Sequence, residues 1–523
     1  MPLTARFSPY LMEFLPVVLA GVAQYATVHH GYFKFDDFLH LFQIVNHGFL
    51  EFLITPHGGH LLLSSNFVFY VCYRAFGLNA TAYMWVALLT HLLNVWLLYR
   101  AIHYLTGRPL IAAFGASLWG IAPMAHGSVS WFSAYGHVLA TTGVAWLLFD
   151  IARLSRRGGA LSTWVQVRWY CVILLTANSF GVGLGAAGAF PFVLYLLRPA
   201  APDRMRVALR FASLFFVLPV IYVLQHRIYQ EFVGIEIVSP FPVLSPAAIT
   251  ASISMLVDLL AIGTTTLIAG PLLATNGGPV AVGPLAGLSL ETLRELSHIV
   301  GGIVAASLLF VFFRSEGPTR AKLLGLALLA GGTYGMIALG RAPMSLLMGY
   351  DESWMAATPR YHYLAPMVLS AFLCTALASA IGQRSWSPAW GAALVLAWAA
   401  SMTPLSVAAA LSFAPYDLAF RKEHERIMSW IEGAASSRPV GANIYLKNHP
   451  VPSIGLGIVP ATEFPHTAGL FVITYPSLEV DGRRVFFIES DSSVLAAARR
   501  REGSPIARLL VSESFRPGAH PRR

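Results

Sequence analysis

Long apolar stretches recur along most of the chain, and many approach the length of about 20 residues that an α-helix needs to cross a bilayer. Eleven of them predict membrane-spanning helices, at roughly 11–30, 82–104, 108–125, 137–152, 169–182, 184–197, 211–229, 297–313, 323–340, 361–382 and 388–411. The fifth and sixth predict a tight helical hairpin. Two further apolar runs, 249–271 and 278–290, are interpreted as interfacial or re-entrant helices, with thirteen spans as the alternative.

Composition agrees with a polytopic α-helical membrane protein. Hydrophobic residues make up 56% of the chain and charged residues 11%, whereas a soluble domain carries about 25% charged residues. Charged residues crowd into the C-terminal part, which predicts a transmembrane domain over 1–414 and a small soluble α+β domain over 415–523. In the latter we expect an amphipathic helix at 416–435, strands at 443–446 and 470–474, and a hairpin at 478–488.

The positive charges predict the orientation. Arginines cluster between alternate spans, as in Arg153, Arg156 and Arg157, so those segments are predicted to face the cytoplasm. The N-terminus would then be cytoplasmic and the C-terminal domain periplasmic or extracellular. The net charge of +10 is therefore explained without nucleic acid. The preference for Arg over Lys fits a GC-rich bacterial genome, hence a bacterial inner membrane. Three scattered cysteines predict neither a disulfide nor a thiolate zinc site.

Asp36 and Asp37 form the sharpest chemical feature, just past the first span and among aromatic residues. Adjacent carboxylates repel each other and aromatic neighbours desolvate them. Both effects raise a carboxyl pKa toward the range that suits a general base. The alternative is a solvated loop or a helix N-cap.

Histidines gather in the predicted external loops. His60, in a His-Gly-Gly-His sequence, and the pair His126 and His137 have side chains that bind metals or phosphates. The alternative is that they hydrogen-bond backbone or lipid head groups at the interface.

Arginine and aromatic residues complete the candidates. Arg360, at the start of a span, is suited to bidentate binding of a phosphate, with Arg341 as its partner. Trp131 lies in a polar and aromatic loop suited to stacking on a sugar. The alternatives are snorkelling arginines with tyrosine anchors, such as Tyr361, and an aromatic interface belt.

The order of these parts resembles the GT-C glycosyltransferases, especially their protein O-mannosyltransferase-like and aminoarabinose-transferase-like branch. Residues 35–40 resemble the acidic motif of the family's first external loop, and 360–364 resemble its late Arg-Tyr-x-Tyr-Leu element. Residues 60–66 and 90–95 are similar to the second juxtamembrane helix and second span, and 123–131 to a turn that carries a Trp. The likeness covers roughly residues 10–410.

The resemblance implies a GT-C-like fold and an inverting sugar transfer from a polyprenyl-phosphate donor to a lipid, glycan or protein acceptor. It implies that Asp36 is the base and that Asp37 orients substrate or assists a cation. Arg360 would neutralise the departing phosphate, and His60 and His126 would contact the donor.

Two positions depart from the family pattern. Gly127 and Ser128 stand near the place of an acid in the second external loop, and 179–182 replaces a Lys-Glu pair. Use of a divalent cation is therefore left open. Two other functions remain as alternatives: a non-enzymatic transporter of lipid or polysaccharide, and an inactive GT-C-like scaffold.

Overall fold

The computed structural model of the protein describes most of the predicted membrane domain and four strands of the C-terminal region. The described residues are 9–34, 36–46, 48–56, 60, 62–233, 245–273, 290–348, 355–382, 388–415, some between 417 and 440, 443–447, 478–480, 483–488 and 513–514. Phe35, His57 and the predicted strand at 470–474 lie outside them, and most of the predicted helix at 416–435 does as well.

Seventeen α-helices account for most of the described chain. They are α1 (Pro9–His30), α2 (Asp36–Asn46), α3 (Phe49–Ile54), α4 (Leu63–Phe76), α5 (Ala80–Thr106), α6 (Pro109–Gly120), α7 (His126–Val129), α8 (Tyr135–Arg157), α9 (Thr163–Ala177), α10 (Gly181–Leu197), α11 (Arg204–Phe211), α12 (Leu214–Val233), α13 (Pro246–Leu273), α14 (Leu290–Arg314), α15 (Gly317–Met348), α16 (Leu364–Ile381) and α17 (Pro388–Ser412). Short 3-10 turns occur at Pro123–Ala125, Phe132–Ala134 and Pro359–His362.

Every one of the eleven predicted spans coincides with a helix, which confirms the polytopic helical fold. Within the described ranges, nine helices are long and apolar enough to cross a membrane, or ten if α6 and the bent segment after it form one span. The predicted hairpin is α9 and α10, which have only 15 and 17 residues. Of the nine long apolar helices in the described ranges, α13 is the one that the eleven predicted spans did not include.

Helix α13 covers the run at 249–271 as one unbroken helix of 28 residues, which is long and apolar enough to cross a membrane. This argues against a re-entrant segment there, and the choice between an interfacial and a spanning helix stays a prediction. Its Asp258 is 1% exposed and accepts hydrogen bonds from Arg294 and His298 of α14, at 3.1 and 2.8 Å. Most of the second run, 278–290, lies outside the described residues.

Small residues let α10 and α15 approach closely. A β-carbon at Gly185 would lie 2.2 Å from the carbonyl oxygen of Gly332, which is closer than any real side chain allows. Helices in lipid associate largely through such close packing. Gly185 therefore allows the close approach of α10 to α15.

One end of the bundle collects basic side chains on helix termini. The Arg156 guanidinium donates to the carbonyl oxygens of His103 and Tyr104, and Lys322 donates to that of Leu105 at 3.2 Å. Arg108 donates to the carbonyl oxygen of Gly382. Cations are favourable at the carboxyl ends of helices. All three cations belong to predicted cytoplasmic segments, so the structure brings them together at one end. Which side of the membrane it faces stays a prediction.

The C-terminal strands form one sheet in the order β2-β3-β1-β4. These are β1 (Asn443–Lys447), β2 (Leu478–Val480), β3 (Arg483–Ile488) and β4 (Glu513–Ser514). β2 pairs antiparallel with β3, with Val480 opposite Arg483, as the predicted hairpin requires. β1 pairs parallel with β3, which needs a crossover between them.

Candidate functional site

The acid pair stands in the first turn of α2, where both carboxylates face the positive end of the helix dipole. Both acids lie inside the helix, whose first residue is Asp36, and neither is at the N-cap position. The two acids nevertheless differ in environment, since Asp36 is partly exposed while Asp37 is 0% exposed.

Asp37 is held by neutral donors from two segments of the chain. Its Oδ1 accepts hydrogen bonds from the backbone N–H and the hydroxyl of Ser133, both at 2.6 Å, and its Oδ2 accepts from the backbone N–H of Lys34 at 3.0 Å. Burial raises the pKa of the Asp37 carboxyl from 3.8 to about 7, although the hydrogen bonds from Ser133 and Lys34 lower it. The side chain of Asp37 is enclosed by protein. Its implied role, to orient substrate or assist a cation, stays a prediction.

The segment 126–134, between α6 and α8, connects the acids to the arginines. Ser133 binds Asp37, and Ser130 accepts a hydrogen bond from the Lys34 ammonium at 3.1 Å. Between these serines, Trp131 lies under the guanidinium of Arg360, 4.8 Å from the ring centre. Asp37 and Arg360 are therefore both bound by residues of this one segment, Ser133 and Trp131.

Gly127 explains one departure from the family pattern. A β-carbon there would lie 2.7 Å from the backbone nitrogen of Arg360 and 2.7 Å from the β-carbon of Pro359. No side chain fits at this position, so an acid is excluded there. The absence of a side chain at Gly127 instead lets the backbone of this segment pack against the backbone of Pro359 and Arg360.

A cationic cluster forms around Tyr361, which is 3% exposed. The guanidinium of Arg360 lies 5.0 Å from the Tyr361 ring centre and that of Arg341 lies 6.0 Å from it. Arg341 also bonds Nε2 of His60 at 2.8 Å, and since a guanidinium can only donate, the imidazole nitrogen accepts. The structure thus brings four predicted residues together: Arg341, Arg360, Tyr361 and His60.

His137 lies at the edge of this cluster. Its ring centre is 4.1 Å from that of Phe180 and 6.3 Å from that of Tyr361, and the residue is 0% exposed. Neither ring nitrogen has a hydrogen-bond partner among the described residues. Leaving a buried polar group unsatisfied costs about 1–3 kcal/mol, so such a group calls for an explanation.

His126 lies apart from His137, contrary to their pairing in the sequence analysis. Its Nδ1 bonds the Thr27 hydroxyl at 3.0 Å, and its ring stacks on Phe413 at 3.8 Å. His126 therefore packs α1 against the end of α17, and it lies outside the cationic cluster.

The described residues contain no group of three His, Cys, Asp or Glu side chains that could hold a metal ion. Asp37 is already engaged by three hydrogen bonds from the protein. These side chains do not fit a resident divalent cation, and no step below uses one.

Sequence reasoning missed Ser130, Ser133, Phe180 and the chemical role of Lys34. The serines did carry a signal, because a Ser-x-x-Ser spacing beside a predicted aromatic loop is a source of hydroxyl donors. Phe180 carried none, because an aromatic residue at a helix hairpin is ordinary.

No protein-family model and no curated protein matches the sequence. Among solved structures, the chain is similar to ArnT from Cupriavidus metallidurans bound to undecaprenyl phosphate, with 13% identity and a TM-score of 0.48. That likeness covers 94% of this chain and 88% of that one.

The chain is also similar to the Archaeoglobus fulgidus oligosaccharyltransferase in two structures. One holds Zn and sulfate, with 11% identity, a TM-score of 0.37, and coverage of 80% of this chain and 55% of that one. The other is tethered through a disulfide to an acceptor peptide with the NVT sequon, with 12% identity, a TM-score of 0.38, and coverage of 81% and 58%. ArnT and the oligosaccharyltransferase are both GT-C membrane glycosyltransferases, the superfamily that the sequence motifs resemble.

Proposed function

We propose that this protein is a membrane glycosyltransferase that moves a sugar from a polyprenyl-phosphate donor to a lipid, glycan or protein acceptor, with inversion at the anomeric carbon. The site lies at the end of the bundle that holds Asp36, which we predict to be the periplasmic side of a bacterial inner membrane. The bilayer would supply the donor laterally.

One observation carries the proposal: a single segment, 126–134, binds Asp37 through Ser133 and an arginine through its tryptophan. Sugar transfer from a lipid phosphate requires both kinds of group. A base must accept the proton of the acceptor hydroxyl, and cations must stabilise the charge that develops on the leaving phosphate.

In the proposed reaction, Asp36 accepts the proton of the acceptor hydroxyl, whose oxygen attacks the anomeric carbon. The bond between that carbon and the phosphate oxygen breaks, and its electron pair leaves with the phosphate. Attack opposite to the leaving group inverts the configuration. The products are the glycosylated acceptor and polyprenyl phosphate, with the proton on Asp36.

The remaining residues would bind and orient. Arg360 and Arg341 would hold the phosphate, and Tyr361 between them would donate its hydroxyl. His137, whose buried ring nitrogens have no partner among the described residues, would complete its hydrogen bonds with the donor. Trp131 would stack on the sugar. Asp37 would fix the turn that carries Asp36.

His60 and His126 differ in what their contacts support. His60 bonds Arg341 and would orient that guanidinium toward the phosphate. His126 stacks on Phe413, so a direct contact with the donor would require the end of α17 to move.

The test is transfer of labelled sugar from a panel of polyprenyl-phosphate sugars in membranes that contain the wild type, Asp36→Asn or Asp203→Asn. The control, Asp203, pairs with Arg198 in a segment predicted to be cytoplasmic. We expect transfer by the wild type and the control, and a loss of about 10²–10⁴-fold in Asp36→Asn. Equal transfer by all three would remove Asp36 from the mechanism, and no transfer from any donor would contradict the proposal.

A transporter is the second candidate because of Asp258. Ionisable residues within apolar helices are expensive and often serve transport, and this carboxylate pairs with Arg294 and His298. Movement of labelled polyprenyl-phosphate sugar across vesicles, without transfer and abolished by Asp258→Asn, would favour this alternative. Absence of both transfer and transport would favour the scaffold.

A further inference from the structure

The residues directly after α17 lie beside the turn that carries the acid pair. Asp417 is 1% exposed, and its Oδ1 forms an ion pair with the ammonium of Lys34, which is itself 5% exposed. The same ammonium donates to Ser130. Three segments that are far apart in sequence therefore meet at one buried lysine.

Lys34 is connected to the acid pair through its backbone. Its N–H donates to Oδ2 of Asp37 at 3.0 Å, and its carbonyl oxygen accepts from the Asp37 N–H at 3.0 Å. A displacement of Lys34 would therefore move the turn that carries Asp36 and Asp37. Asp417 is thus connected to Asp37 through Lys34.

Two further contacts flank the ion pair. Phe413 stacks on His126, with an angle of 16° between the rings. The guanidinium of Arg421 lies 5.6 Å from the ring centre of Tyr32. Phe413 thus contacts the segment 126–134, and Asp417 and Arg421 contact the turn before α2.

We propose that Asp417 is a positioning residue: through Lys34, it holds the turn that carries the acid pair, so the start of the C-terminal domain sets the geometry of the base. The catalytic part of this inference rests on the proposed glycosyltransferase function. The structural part does not, because the position of the turn can be measured without any reaction.

The structural test measures how fast a charged, membrane-impermeant thiol reagent labels Asp36→Cys in the full chain. Cys72 and Cys374 are buried, and the exposed Cys171 is replaced by Ser. Adding Asp417→Asn should raise the labelling rate about tenfold, because the turn opens more readily. Asp417→Glu, which keeps the carboxylate, should restore the slow rate, and the matched control Asp203→Asn should leave it unchanged.

If Asp417→Asn does not accumulate in membranes, Lys34→Met with Asp417→Leu provides the same readout. This pair removes both buried charges, a change that proteins often tolerate. A rise in labelling is expected here as well. A labelling rate that stays at the wild-type value in either variant would overturn the proposal.

The catalytic test uses Asp36 intact. We expect Asp417→Asn to lower kcat about tenfold and to leave KM for the donor unchanged, because the cationic cluster is not touched. Asp417→Glu should restore kcat, whereas a merely structural role would lower the amount of folded enzyme and not its kcat. Absence of transfer by the wild type would contradict the proposed function alone, and the labelling result would still decide the role of Asp417.

Discussion

Two buried carboxylates at opposite ends of the bundle, Asp37 and Asp150, are held in different ways. Asp150 is 1% exposed and accepts from Arg153, Arg168 and the indole N–H of Trp169. Asp37 is 0% exposed and accepts hydrogen bonds from neutral donors, a serine and a backbone N–H. One negative charge is thus cancelled by guanidinium groups at its own oxygens, and the other is not.

The difference teaches how each end is used. The Asp150 carboxylate, which is paired with two arginines, joins α8 to α9 and has a structural role. A carboxyl group with a pKa near 7 and no cation on its oxygens can change its protonation state near neutral pH. Chemistry is therefore expected at the end that holds Asp37, and stability at the end that holds Asp150.

The largest expected effect separates stability from chemistry. Replacing both Arg153 and Arg168 with Ala leaves Asp150 buried with only the Trp169 donor, and it should lower the free energy of unfolding by about 3–5 kcal/mol. Thermal unfolding in detergent would measure the loss. The kcat of the remaining folded enzyme should equal that of the wild type. A fall in kcat without a loss of stability would contradict the comparison.

Arginines at the two ends offer a matched pair for the next effect. Arg360→Ala should reduce transfer about 10²–10³-fold, because it removes the group that is proposed to stabilise charge on the leaving phosphate. Arg168→Ala should leave transfer of the folded enzyme unchanged. Steady-state kinetics in membranes measures both. If the two variants lose activity equally, the cationic cluster has no special role in the reaction.

The pH dependence of stability should reveal Asp37. Its pKa is raised in the folded protein, so between about pH 4 and pH 7 the folded state keeps a proton that the unfolded state releases. Stability should be greatest below about pH 4 and should fall as pH rises to 7, by at most about 1.4 kcal/mol per pH unit. Unfolding curves from pH 4 to pH 8 measure this slope. Asp37→Asn should flatten it and Asp150→Asn should not; the opposite pattern would contradict the burial argument.

Ser133→Ala should have the smallest effect. It removes one hydrogen bond to Asp37 and leaves the backbone donor, so the free energy of unfolding should fall by about 1–2 kcal/mol. The lost bond lowers the pKa of Asp37, and the stability loss on raising the pH should therefore extend to higher pH. Ser117→Ala, a buried serine on α6, is the control. No change in the pH range would show that the hydroxyl does not bind the carboxylate.

Much of the fold was predictable from the sequence because lipid imposes a simple rule: a crossing helix must be long and apolar. All eleven predicted spans are helices for this reason. Asp258 shows the limit of the rule. An apolar run with one acid is equally compatible with a membrane span and with an interfacial helix. The structure shows that the Asp258 carboxylate is compensated by Arg294 and His298 of α14.

The types of residue at the site were predictable from the sequence, but which of these residues contact each other was less so. Arg341, Arg360, Tyr361 and His60 do meet, because residues at the same ends of neighbouring spans lie close in space. The separation of His126 from His137 was not predictable, since a short segment with two tight turns can direct its side chains to different neighbours. The pairing of Lys34 with Asp417 spans 383 positions and leaves no local pattern.

The segment 126–134 also acts as a spacer of fixed length. One residue, Phe132, separates Trp131, which contacts Arg360, from Ser133, which holds Asp37. An inserted or deleted residue between them would move the Asp37 carboxylate relative to the Arg360 guanidinium by about 3.3–3.6 Å, the length of one extended residue. In a glycosyltransferase, that interval would set how large a sugar fits between proton acceptor and phosphate. The length of this segment would then select among donors, independently of which side chains line the space.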